Sequence, residues 1–174
     1  RDHCVTGVQT CALPISMDEV DLVKDVYFYL KAEGYTVFFA PECQEALSGK
    51  NQREVFYNIF GLSSNYVVLF VSESYLRKKV TMEEAHIAFS KLGKTGRVLP
   101  IYTDHAELPI ELLNPSEFNY FKESRAAFIA SHISGKIALN KHKKGSPSVE
   151  QKEGSMNNIN NQATNQVFIN KINI

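Results

Sequence analysis

Charge excess, long apolar runs and paired cysteines are all missing from this sequence, and each absence excludes a class of protein. Among 174 residues, 19 lysines and arginines are matched by 19 aspartates and glutamates. With no net field to concentrate it on DNA, RNA or an anionic membrane, nucleic acid is not an expected partner. No apolar run approaches the roughly 20 residues needed to span a bilayer, and no basic segment followed by a long apolar one marks a secretory signal. The expectation is a soluble, cytoplasmic protein with no membrane partner. Cys4, Cys11 and Cys43 form an odd, widely spaced set without any C-x-x-C. Neither a disulfide framework nor a zinc site is expected from them, and no metal site is expected elsewhere. What remains is ordinary: 44% hydrophobic and 22% charged residues fit one globular core with some chain left over.

The two ends differ from the middle. "RDHCVTGVQTCALPIS", residues 1–16, has neither helical nor strand period, and its core resembles the conceptual translation of a common sequencing-library adaptor. It is set aside as a fusion scar would be, which leaves Cys43 as the cysteine to interpret. From Asn140 to residue 166 the chain is rich in Lys, Ser and Asn with almost no large apolar residue, a composition that cannot offset chain entropy and reads as a disordered linker. "VFINKINI", residues 167–174, alternates as a strand does and reads as the start of a truncated second module.

Between Met17 and Leu139 the signals alternate. "DEVDLVKDVYFYLKAEG" places Val20, Val23, Tyr27 and Leu30 on one helical stripe and ends at Gly34, a suitable left-handed residue past a helix end. "YTVFFAP" is a short apolar run stopped by Pro41, as in a strand buried on both faces. A polar loop, "ECQEALSGKNQ", leads to a helix around "REVFYNIFGL". "YVVLFVS" is the strongest strand, and a helix follows in which Ala85, Ala88, Phe89 and Leu92 share a face and Glu83 and Glu84 fall in the first turn. "RVLPIYTD" and "EFNYFK" are further strands, and "SRAAFIASHISGKIAL" is a last helix with a serine cap.

This order implies a parallel sheet covered by helices on both faces. In the flavodoxin-like order 2-1-3-4-5 the first strand lies inside the sheet, yet nothing between Met17 and Asp18 supplies one. The native first strand is therefore expected to be missing. Either adaptor residues such as Val5 to Gln9 fill its slot, or the core has a gap.

A helix leading into "GYTVFF", a loop carrying "LSG", then "SSNYVVLFVSESYL", "EEAHIAF" and "RVLPIY" together resemble the TIR (Toll/interleukin-1 receptor-like) domains, bacterial type, over residues 18–139. The resemblance implies a TIR domain at 17–139, N-terminally truncated. In the family the third element reads approximately S-x-x-Y/F, a few residues, then W-C-x-x-E, and the glutamate is catalytic in members that cleave NAD. Laid on this chain, the pattern implies substrate-binding roles for Ser72 and Tyr75, puts Val80 at the tryptophan position and Thr81 at the cysteine position, and makes Glu84 the catalytic glutamate. Glu83 falls one place early. Leu47, Ser48 and Gly49 match the loop that in TIR domains carries self-association and borders the nucleotide.

The implied activity is an NAD+ glycohydrolase, releasing nicotinamide plus ADP-ribose or a cyclic form, in bacterial defence or signal transduction. NAD+ would be a substrate rather than a cofactor, and the implied partners are other TIR domains, with homo-oligomerisation. The chemistry tolerates one glutamate. Cleavage passes through an oxocarbenium-like transition state that a carboxylate stabilises, and nicotinamide leaves neutral, so a second, acidic carboxyl is not needed. Acids are nonetheless enriched in the first turn of any helix, which gives either glutamate an ordinary structural role. The alternative is a non-catalytic TIR module for protein–protein interaction in signalling. "GKTG", residues 93–96, lacks the first glycine and preceding strand of a P-loop. His86 and His105 have no partner at metal-ligand spacing, and Cys43 reads as a spectator thiol.

Overall fold

The computed structural model describes residues 9–113 and 121–145. Five strands form one parallel sheet: β1 (Gln9–Ala12), β2 (Val37–Phe38), β3 (Ser64–Val71), β4 (Val98–Tyr102) and β5 (Phe121–Lys122), in the order β2-β1-β3-β4-β5. This is the flavodoxin-like arrangement, and of the two alternatives for the first-strand slot it has the filled one. Gln9–Ala12 fills it, with Cys11 opposite Val37 on one side and Tyr66 on the other. A strand buried on both faces needs no polar–apolar alternation, so a period test passes over "QTCA". Cys11, Ala12 and Leu13 are almost wholly buried. Of the residues proposed for that slot, only Gln9 lies among those described, and the strand runs on from it.

β3 shows why the core has two halves. Side chains alternate across a strand, so Tyr66, Val68 and Phe70 face one layer, while Val67, Leu69 and Val71 face the other. The first layer is covered by α1 (Val20–Ala32) and α6 (Ala126–Gly145), through Val23, Val26, Leu30, Ile129, Ile133 and Ile137. The second is covered by α2 (Gln44–Leu47), α3 (Gln52–Asn58), α4 (Glu73–Arg77) and α5 (Lys79–Leu92). On α5, Ala85 and Ala88 are fully buried and Phe89 and Leu92 pack beside them, the face expected from sequence.

The helix ends are closed locally. Past α1, Gly34 adopts φ 85°, its N–H bonds Lys31 O at 3.0 Å, and the Tyr35 N–H bonds Leu30 O at 3.1 Å, the paired bonds of a left-handed helix stop. The segment expected as a polar loop is more ordered than that: a 3-10 turn at Ala40–Cys43 runs into α2, and Asn51 Oδ1 accepts the Arg53 N–H to cap α3. α3 ends in a π turn, Ile59–Ser63. The last helix also starts differently. The Glu123 carboxylate, not the Ser124 hydroxyl, accepts the Ser124 and Arg125 N–H groups at 2.9 and 3.0 Å. α6 then continues to Gly145, past the Leu139 boundary expected for the domain. The module expected at residues 167–174 lies outside the described residues, as does the part of "EFNYFK" before β5. No helix among the described residues is long and apolar enough to cross a membrane.

Candidate functional site

The opening of α5 decides where the two glutamates sit. Ser72 Oγ accepts the Tyr75 N–H at 3.1 Å, starting α4, and the chain breaks helical geometry at Lys78 (ψ 123°) before restarting at Lys79. Tyr75 and Thr81 bridge this break: the Tyr75 hydroxyl donates to Thr81 O at 3.0 Å, and the Thr81 hydroxyl lies 2.8 Å from Lys78 O. α5 therefore begins too early for either glutamate to be in its first turn, which holds no acid. This corrects the sequence reading, and the helix dipole, which acts mainly within the first turn, does little for either carboxylate.

The environments of the glutamates differ sharply. Glu83 is half-exposed and pairs with Arg53 Nη2 at 2.9 Å. Glu84 is only 6% exposed and has no hydrogen-bond or ion-pair partner among the described residues. Burial, with nothing to offset it, pushes its carboxyl up to about 8. Its side chain reaches a cavity of about 320 Å³ between α3 and α5, walled by Gln52, Arg53 and Phe56 on one helix and Lys79, Val80, Glu83 and Ile87 on the other.

The structure thus brings Glu84 and Val80 together at one hollow, Val80 being 58% exposed at its rim. The other sequence candidates lie elsewhere. Ser72 is buried and donates to Glu19 Oε1. It belongs to a polar cluster at the carboxyl ends of β1 and β3, where Lys78 Nζ reaches Ser16 Oγ at 2.7 Å and Asp18 Oδ2 at 3.3 Å and Ser74 bonds Asp18. Tyr75 is fully buried; burial and the neighbouring Glu84 charge hold its phenol well above the usual range. Leu47 is a core residue, and Ser48 and Gly49 are exposed in the turn after α2, where Gly49 has φ 75°. None of these five lines the cavity.

Five residues that do line it, Gln52, Arg53, Phe56, Lys79 and Ile87, were not singled out from sequence. The only signal for them was their position on the helices flanking the expected site. The reading of Cys43 as a spectator thiol is also corrected: Cys43 is buried and disulfide-bonded, so it offers no thiol. Cys11 is sealed in the core, and burial raises its thiol to about 12, which makes it inert at ordinary pH. Among the described residues no group of His, Cys, Asp and Glu is placed to hold a metal ion.

A doubly covered parallel sheet with a hollow beside the helix after its central strand is an α/β binding architecture. The family model described as the TIR domain matches residues 15–131, and the chain belongs to the TIR domain family. β1 lies ahead of the matched stretch. The crystal structure of the TIR domain of the Toll-related receptor TRR-2 from the lower metazoan Hydra magnipapillata is similar over 79% of this chain and 98% of that one, at 13% identity and a TM-score of 0.56. At that identity the likeness shows the fold alone. No curated protein matches the sequence.

Proposed function

We infer that this TIR domain cleaves the bond between nicotinamide and ribose in NAD+, with Glu84 as the catalytic carboxylate. The observation that carries the reading is an unpartnered, buried carboxyl on the wall of a cavity that also presents two cationic side chains, Arg53 and Lys79. A stabilising group for an oxocarbenium-like transition state must be an anion close to the sugar and shielded from water. With its carboxyl pushed up to about 8, Glu84 is mostly protonated at pH 7. The nicotinamide ring of NAD+ carries a positive charge, and a positive charge placed beside a buried carboxyl favours its ionised form. The substrate would therefore ionise the group that acts on it. Lys79 and Arg53 would meet the pyrophosphate, and Val80 would flank the ring. Self-association with other TIR domains, through the turn at Ser48 and Gly49, and a role in bacterial defence signalling from the cytoplasm belong to the same proposal.

One observation favours the rival reading, a non-catalytic interaction module. Glu84 is 94% shielded and protonated at rest, which a packing role for the neutral acid would also explain. Release of nicotinamide from NAD+ by the purified chain, at concentrations that permit oligomers, separates the two. The enzyme reading expects release that Glu84→Gln abolishes and Glu83→Gln leaves within a few-fold; the interaction reading expects none from any variant.

A further inference from the structure

At the opposite, amino-terminal edge of the sheet lies a second cavity, of about 420 Å³. Its wall carries Asn65 and Tyr66 from β3, Arg97 just before β4, and Asn140 and Lys141 from α6, and none of its lining side chains is acidic. Of the four described arginines, Arg53, Arg77 and Arg125 each pair with a glutamate at 2.7 to 2.9 Å. Arg97 is half-buried and has no acidic partner among the described residues. Arg97 lines a cavity with no acidic residue in its wall, and its guanidinium fork offers five N–H donors there.

The remaining groups point the same way. Tyr66 is 6% exposed, and its hydroxyl accepts from Asn140 Nδ2 at 2.8 Å. Accepting leaves the hydroxyl proton free to donate. Lys141 Nζ is 5.9 Å from the Tyr35 ring, with no carboxylate paired to it among the described residues. Two cations without a carboxylate partner among the described residues and a buried phenol line one hollow, and Ile137 adds an apolar residue to its wall. The volume is that of a small-metabolite site.

We propose that this cavity binds a small phosphate monoester, its dianionic phosphate held by the Arg97 fork and Lys141 with a hydrogen bond from Tyr66. The site is separate from Glu84 and does not depend on the reaction assigned there. An arginine fork matches two phosphate oxygens at once, and a second cation answers the second charge, which a singly charged carboxylate would leave unused.

The test is a titration of the full chain with ribose 5-phosphate, and separately with inorganic phosphate, at constant ionic strength in chloride, following arginine side-chain Nε–Hε resonances together with the backbone amides of the cavity residues, which remain observable in every variant. The expected result is a saturable shift confined to Arg97 among the arginine side chains and to the cavity residues among the backbone amides, tighter for ribose 5-phosphate than for inorganic phosphate, with the amide shifts showing binding weakened at least tenfold by Arg97→Gln and several-fold by Lys141→Gln. Arg97→Lys, which keeps the charge and loses the fork, should bind at an intermediate level, and it serves where the glutamine variant is unfolded. Shifts that do not saturate, that spread equally over all arginines, or that survive in Arg97→Gln would overturn the site. Equal affinity for the two phosphates would overturn the assignment to a monoester.

Discussion

Tyr75 and Thr81 hold each other across the break between α4 and α5: the phenol hydroxyl donates to the Thr81 carbonyl at 3.0 Å, and the Thr81 hydroxyl is directed at the Tyr75 carbonyl. Thr81 lies one turn before Glu84, so this pair fixes where α5 begins and which way the carboxyl points. Tyr75→Phe keeps the ring and leaves the buried Thr81 carbonyl short of a donor. A loss of about 1–3 kcal/mol in urea unfolding is expected. An unchanged midpoint would mean that water or another donor takes the place of the hydroxyl.

The buried carboxyl makes stability depend on pH in an unusual direction. Glu84 titrates near 8 when folded and near 4.5 when exposed. Between those values the folded state holds a proton that the unfolded state has lost, so stability falls as pH rises, by up to about 1.4 kcal/mol per unit, and levels off above 8. Glu84→Gln cannot ionise. It should remove this slope and raise stability at pH 8 relative to the parent, which thermal melts from pH 5 to pH 9 would detect.

Glu123 produces the opposite slope at the acid end. The Arg125 side-chain hydrogen bond, with the N–H groups of Ser124 and Arg125, holds its carboxyl at about 2. Its contribution is complete above the ordinary value of 4.5 and is lost as pH falls through 2. Glu123→Gln should therefore lower the unfolding temperature at pH 6 and have little effect at pH 2. Equal losses at both would show that the cap does not depend on charge.

At Gly61, in the π turn after α3, an added Cβ would stand 3.2 Å from Ile87 Cγ2. Gly61→Ala should push α5 outward at the wall of the Glu84 cavity and destabilise the domain by about 1–3 kcal/mol. Ile87→Ala, which removes Cγ2, should leave the double variant less destabilised than the sum of the two single losses. Simple addition of the two effects would contradict direct contact.

How far the sequence could be read depends on what each element needed. The unbroken apolar run of β3 and the stripe of α1 carry their own period, and the strand order followed from the alternation of helix and strand. β1 was passed over because four residues, Gln9 to Ala12, show no period and owe their strand form to the neighbours on either side. The family motif located Glu84 and Val80, which do meet at a cavity. It did not show that Ser72 caps a helix or that Tyr75 reaches Thr81, because both local bonds depend on where α4 stops and α5 restarts, which the motif does not say. It set Glu83 one place early but did not show what holds Glu83 aside, which is Arg53, 30 residues away in the chain and 2.9 Å away in space.

The central claim is that the unpartnered carboxyl of Glu84 acts on NAD+, and nicotinamide release tests it most directly. The purified chain, concentrated enough to associate, should release nicotinamide, and Glu84→Gln should reduce the rate by about 10²–10³-fold or more while Glu83→Gln stays within a few-fold of the parent. Release by Glu84→Gln at the parental rate, or none from the folded, oligomeric parent, would contradict it.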